Sequence, residues 1–126
     1  MAQDIVADAL NMIRNAQKSG KDTIRIGRIS NLLIEVFKIM KQKGSLKKYK
    51  IDGKDKSATV TIGDLFECGV IKPRFTVKKE DIEKYRRRYL PARGIGTIII
   101  STNKGLITHE EATKEKIGGC LIAYFY

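Results

Sequence analysis

Acidic residues are scarce in this chain. Fourteen Asp and Glu stand against twenty-five Lys and Arg, a formal charge of +11 over 126 residues. Such a balance leaves the fold open but concentrates polyanions around the protein. Nucleic acid is the leading partner class and an anionic membrane surface the second. Cysteine is scarcer still. Cys68 and Cys120 lie far apart, without a CxxC partner or a His-rich neighbourhood, which argues against a metal site and for two buried reduced thiols. The one histidine, His109, sits beside a helix start, where a histidine ordinarily caps or faces solvent. No apolar run approaches the roughly 18 residues a membrane span needs. The opening MAQDIVADAL is acidic and amphipathic rather than a signal peptide. These absences place the protein in the cytoplasm.

Enzyme signatures are missing as well. There is no P-loop and no GxSxG, and Gly94-Ile95-Gly96 alone is not a dinucleotide fingerprint. Asp52, Asp55 and Lys56 are the residue types of a metal-dependent nuclease, but hairpin turns attract Asp and Lys anyway. The reading is a non-enzyme with no catalytic residue, no cofactor and no metal.

What is present is globular: 42% hydrophobic and 31% charged residues, enough to bury a core. The chain is organised around its last third, residues 94–126. Ile98-Ile99-Ile100 is a β-branched run suited to a buried strand. Ser101-Thr102-Asn103-Lys104-Gly105 stops it with four hydrogen-bonding side chains and a glycine. Thr108-His109-Glu110-Glu111 is a capping box. A short helix to about Lys116 follows, which Gly118-Gly119 ends before an apolar strand, Cys120–Tyr126. On that strand Tyr124 and Tyr126 share a face and Phe125 points to the core. A sheet carrying a small polar loop and aromatic residues suits a polar, planar partner.

Upstream, apolar residues at Ile5, Val6, Ala9, Leu10 and Ile13 predict an amphipathic helix over 4–17, capped by Asp4. Thr23–Ile26 alternates as a strand. Ser30 caps a second helix whose inner face is Leu33, Val36, Phe37 and Met40, ending before Gly44. Tyr49–Ile51 and Ala58–Ile62 pair as a hairpin through Asp52-Gly53, with Thr59 and Thr61 on a solvated face. Phe75-Thr76-Val77 is a short strand, and Lys78–Arg88 reads equally as charged helix or ordered loop. The expected class is α+β. An N-terminal α-β-α-β-β subdomain (1–71) packs on a mainly β C-terminal subdomain (72–126) with one short helix.

The charge is concentrated. Residues 72–93 hold Lys72, Arg74, Lys78, Lys79, Lys84, Arg86, Arg87, Arg88 and Arg93 against three acids, a net of +6, while residues 94–126 are neutral. Lys41, Lys43, Lys47, Lys48 and Lys50 form a second cluster free of acids. Tyr85 and Tyr89 are interleaved with the arginines, and Tyr and Arg planes stack on unpaired bases. Arg86-Arg87-Arg88 cannot all face one way, so some pair with Glu80 or Glu83. No RNP motif, GXXG clamp or zinc-finger spacing is present.

IKPRF at 71–75, RRYLPARGIGTIIISTNKG at 87–105, the Thr-His-Glu-Glu-Ala helix start and the GG-apolar-aromatic ending form a specific combination. With Asp4-Ile5-Val6-Ala7-Asp8 and Ile13-Arg14-Asn15-Ala16, it resembles the family of the eighth protein of the small ribosomal subunit, in its archaeal and eukaryotic form. The resemblance implies binding to the central domain of small-subunit ribosomal RNA and a part in subunit assembly. It also implies neighbouring small-subunit proteins as partners, no membrane, and a monomer when free. The Ser-Thr-x-x-Gly turn of that family meets the minor groove and core bases of an irregular RNA helix. Carried over, the contacts are Ser101, Thr102, Asn103, Lys104 and Gly105, and many bacterial members have serine where Asn103 stands. Tyr124 and Tyr126 add aromatic contacts. The basic segment 72–93, with Lys72, Arg74, Arg86, Arg87, Arg88 and Arg93, and the Lys41–Lys50 cluster supply sequence-independent phosphate contacts. The alternatives are a free-standing RNA-binding translational regulator and the nuclease built on Asp52, Asp55 and Lys56.

Overall fold

The first helix, α1 (Ile5–Lys18), follows the i, i+3, i+4 apolar spacing. Val6, Ala9, Leu10 and Ile13 are all nearly inaccessible to solvent. These details come from a computed structural model that describes residues 5–54, 56–71, 76–92 and 94–126. The proposed cap at Asp4 lies outside those residues. After β1 (Thr23–Ile26), Ser30 starts α2 (Asn31–Gln42), its Oγ accepting the Leu33 amide at 3.2 Å. The stripe Leu33, Val36, Phe37 and Met40 is fully buried, each such side chain contributing roughly 1.5–3 kcal/mol.

β2 (Leu46–Asp52) and β3 (Ser57–Ile62) make the hairpin. β2 begins three residues earlier than its apolar alternation indicates, because Lys47 and Lys48 lie exposed along the strand. The connection is also longer than a two-residue Asp-Gly turn: Asp52 pairs with Ser57, and its Oδ1 accepts the Lys54 amide at 3.0 Å. The antiparallel sheet has the order β1-β3-β2. Ile24, Val60 and Tyr49 are in register on one face, and Arg25, Thr59 and Lys50 on the other.

The chain divides into two compact units, Met1–Gly69 and Val70–Tyr126. The boundary falls within the short strand β4 (Cys68–Val70), and the second unit is built on an antiparallel sheet whose β6 (Thr97–Thr102) lies between β7 (Gly105–Thr108) and β8 (Gly119–Phe125). A short β5 (Thr76–Val77) also pairs with β8. The segment Lys78–Arg88, which reads equally as helix or loop, is helical from Lys79 on: a 3₁₀ turn at Lys79–Asp81 runs into α3 (Ile82–Tyr89). Ile98, Ile99 and Ile100 are all completely buried, so β6 is covered on both faces. Ile98, Ile100 and Leu121 share a core with Ile82, Leu90 and Ala112, against which Tyr85, Tyr89, Tyr124 and Tyr126 pack half-buried.

Two local expectations are corrected here. First, the segment after the turn does not pass directly into a helix. Gly105–Thr108 forms β7, laddered to β6 from Thr102↔Gly105 to Ile99↔Thr108. Second, Gly118-Gly119 does not end the helix α4 (His109–Glu115). Lys116 does so in the left-handed region, with φ 58° and ψ 45°. The glycines answer a packing demand instead: a β-carbon at Gly118 would lie 2.3 Å from the Val77 carbonyl oxygen.

Candidate nucleic-acid interface

The turn is tighter than the five-residue segment Ser101–Gly105. Ser101 and Thr102 are the last residues of β6, Gly105 is the first of β7, and Asn103-Lys104 alone form the bend. Gly105 takes the positive φ of +101° that closes it, a value glycine adopts without a Cβ penalty. Thr102 locks the corner: its hydroxyl donates to the Gly105 carbonyl at 2.9 Å and accepts the Lys104 amide at 3.1 Å. Asn103, Lys104 and Gly105 are exposed, and Lys104 Nζ lies 3.9 Å from Glu115 Oε1. The result is a rigid tip with one amide and one ammonium directed outward. Small polar groups of this kind reach the wide, shallow minor groove of A-form RNA.

Below the tip, α4 is anchored by its cap. Thr108 Oγ1 accepts the Glu111 amide at 3.2 Å and donates to the Glu111 carboxylate at 3.4 Å. His109 is not a surface residue as expected: it is buried, and its Nδ1 accepts the Ile98 amide at 3.1 Å. An accepting Nδ1 leaves the ring proton on Nε2. The imidazole therefore ties the helix start to the beginning of β6.

The aromatic residues occupy the other end of the ladder. Tyr124 stands opposite Ile98, and Phe125, fully buried, stands opposite Thr97. Tyr124 stacks on Tyr126 at 6.5 Å between ring centroids and meets Tyr89 at 5.4 Å. Strand alternation puts Tyr124 on the face of Ile98 and Ile100, and Ser101 on the opposite face. The three residues of β6 from Ile98, opposite Tyr124, to Ser101 separate them further, roughly 10 Å at 3.3 Å per residue. The structure does not bring Ser101 and the tyrosines together.

The three arginines of α3 diverge, as their spacing requires. Arg86 is only 9% exposed, and Glu83 Oε1 accepts from its Nε at 2.9 Å and from its second terminal nitrogen at 2.7 Å. That hydrogen bond raises the Arg86 pKa further. Arg86 is thus committed within the protein, while Arg87 and Arg88 are exposed. The Arg88 guanidinium lies 5.3 Å over the Tyr85 ring and Lys84 Nζ lies 5.9 Å from it. Tyr85 is a residue that the sequence reading left out of the site. Its i, i+3 spacing to Arg88 was the available signal. Lys72, Arg74 and Arg93 lie outside the described residues, as does Asp55 of the nuclease alternative. Asp52, its companion, holds the hairpin loop. No described helix is long and apolar enough to cross a membrane.

Comparison with known proteins finds likeness along the whole chain. The small ribosomal subunit protein uS8 of Nanoarchaeum equitans is 45% identical over 129 residues, covering 100% of both chains. The family model described as ribosomal protein S8 matches residues 4–126, and with both units and the Ser101–Gly105 turn inside that match, the chain belongs to the ribosomal protein S8 family.

Proposed function

We propose that the protein is a structural constituent of the small ribosomal subunit that binds the central domain of its RNA, with other small-subunit proteins as neighbours. The single observation that carries this reading is the Thr102-locked tip, which holds Asn103 and Lys104 outward on a buried three-isoleucine strand. A preorganised polar tip binds without ordering cost, so its contacts count toward specificity. Asn103, Lys104 and the edges of Ser101 and Thr102 read the RNA minor groove. Arg88, lying over the Tyr85 ring, and Arg87 hold phosphates regardless of sequence, as do Lys72, Arg74 and Arg93. Tyr126 and the rim of Tyr124 add a separate contact on the other face of the sheet, and Arg86 is held within α3 by Glu83. The protein acts without catalysis, in the cytoplasm, and is monomeric before assembly.

Filter binding to a central-domain ribosomal RNA fragment and to a scrambled RNA of equal length tests this. A preference of about a thousandfold that survives rising salt is expected, the range of specific over non-specific binding. Equal binding with a steep salt slope would reduce the interaction to the +11 charge attracting phosphate. Co-sedimentation with small subunits separates a resident protein from a free regulator, which would stay in the light fractions.

A further inference from the structure

The amino-terminal sheet has two outer strands, and they are protected differently. β2 carries Lys47, Lys48 and Lys50 and a register irregularity between Leu46 and Lys48, features that keep an edge from pairing. β1 is regular in register and has no lysine. The Ile62 amide donates to the Asp22 carbonyl at 2.7 Å, and this bond sets the phase of the strand. Bonded and non-bonded pairs alternate in an antiparallel ladder. Ile24 and Ile26 therefore turn their backbone groups toward β3, while Thr23 and Arg25 turn theirs outward. Side chains along this edge are uncovered too. Ala58 and Val60 of β3 are buried, but Ile24 is only half-buried and Met12 of α1 is 42% exposed. Met12 separates two depressions of about 250 and 170 Å³, one reaching Ile24 and the other Ile26.

We infer that the outer edge of β1 docks an extended segment of another protein, added antiparallel as a fourth strand and alternating apolar with acidic residues. Outward N–H and C=O groups on a sheet edge supply main-chain affinity, and pockets for alternate side chains supply selectivity. Residues two apart on the incoming strand lie roughly 6.6 Å from each other, so successive apolar side chains drop on either side of Met12. The intervening residues extend the polar face, directly opposite Thr23 and Arg25. The rows they join, Thr23-Thr61-Lys48 and Arg25-Thr59-Lys50, hold three cations and no acid. A carboxylate opposite Arg25 is the complementary group. The same charge disfavours a second copy of this chain, since β1 against β1 sets arginine near arginine and +11 against +11. Antiparallel addition is the more stable pairing per residue. The site belongs to the unit without the Ser101–Gly105 turn and does not depend on RNA binding there.

The probe is a peptide of about seven residues alternating glutamate and valine, long enough to span β1, titrated against the full chain. Its binding slows amide hydrogen exchange at Thr23 and Arg25 and leaves Ile24 and Ile26, already bonded to β3, unchanged. In the antiparallel register the glutamate amides face β1 and the valine amides face away. N-methylation of the glutamate amides weakens binding about tenfold or more, through the loss of two hydrogen bonds. N-methylation of the valine amides leaves binding intact. These peptides carry the same charge, so attraction to the basic chain cancels between them, and neither comparison needs a variant of the protein. M12E places a carboxylate between the two depressions and weakens the unmodified peptide about tenfold. The proposal is overturned by unslowed exchange at Thr23 and Arg25, or by equal binding of a peptide whose glutamates and valines are grouped. Full binding of the glutamate-methylated peptide or undiminished binding to M12E overturns it as well. So does slowing at both amides from rising protein concentration alone, which makes a second copy the occupant, or from an RNA duplex in place of the peptide.

Discussion

Gly119 is pressed against Ser101. A β-carbon at position 119 would lie 2.4 Å from the Ser101 carbonyl oxygen, 2.8 Å from Ile100 Cγ2 and 3.0 Å from Thr102 Cγ2. This contact sets β8 against the last residues of β6, where the strand runs into the exposed tip. Gly119→Ala is therefore expected to lose about 1–3 kcal/mol of stability, the usual cost of overpacking. Gly27→Ala, with nothing within 4 Å of the added carbon, should stay within about 0.5 kcal/mol. Urea unfolding of the two variants checks the contrast; equal midpoints would show that the sheet gives way freely at Gly119.

His109 serves β6 as an acceptor, so its removal acts on a backbone amide. His109→Ala leaves the buried Ile98 N–H without its partner at 3.1 Å, a loss of about 1–3 kcal/mol. His109→Asn places a carbonyl oxygen near the former Nδ1 and should recover part of it. Hydrogen exchange at Ile98 reads this directly. The amide should exchange faster in the alanine variant and regain protection in the asparagine variant.

Division of labour on the proposed RNA surface predicts two kinds of loss. Asn103→Ala should weaken cognate RNA by about 1–3 kcal/mol, with little effect on scrambled RNA. Arg87→Ala with Arg88→Ala should weaken both RNAs alike and flatten the salt dependence. Arg86→Ala should instead lower the melting temperature, because Arg86 is buried and held by Glu83. Equal effects of Asn103→Ala on both RNAs would remove the tip from specificity.

The two thiols should differ in reactivity. Burial pushes the Cys68 thiol up to about 12, Glu67 adds to that, and Sγ donates to the Leu10 carbonyl at 3.4 Å. Cys120, expected to be buried like Cys68, is instead half-exposed. At pH 8 a thiol reagent should modify Cys120 first and Cys68 only on unfolding, since the thiolate is the reactive form. Simultaneous labelling of both in the folded protein would contradict the buried placement of Cys68.

Acid should weaken the amino-terminal unit through Glu67. Burial pushes its carboxyl upward, but the Arg14 hydrogen bond, the charges of Arg14 and Lys18, and the Cys68 amide together hold it below the ordinary 4.5. A carboxyl lowered on folding contributes stability above its unfolded pKa and loses it as pH falls through the folded one. Unfolding free energy should thus decline below about pH 4.5. Glu67→Gln should be less stable at pH 7 and show a shallower acid decline. An identical acid profile in that variant would remove Glu67 as the cause.

Local interactions made much of the fold legible. Ser30 and Thr108 start helices through bonds to residues three positions on, so a single short stretch carries the whole signal. The buried stripes of α1 and α2 follow from 3.6-residue periodicity, and the solvated face of the hairpin from alternating Thr59, Val60, Thr61 and Ile62. Membership in the ribosomal protein S8 family was legible too, because STNKG, the capping box and the glycine pair occur together.

What the tertiary structure decided depends on partners distant in sequence. Gly105–Thr108 has no alternation of its own and is a strand because β6 supplies a ladder. Gly118 and Gly119 read as a helix stop, but their need is set by Val77 and Ser101 on other strands. Three consecutive arginines look alike in one dimension. Helical phase puts Arg86 four residues from Ile82 on the buried side and leaves Arg87 and Arg88 outside. The separation of Ser101 from Tyr124 across the sheet likewise follows from register. Composition and short-range spacing therefore determined the kind of protein and all of its helices but α3. Pairing between remote strands decided which polar groups of the sheets stand exposed, because only that pairing fixes which face each side chain takes.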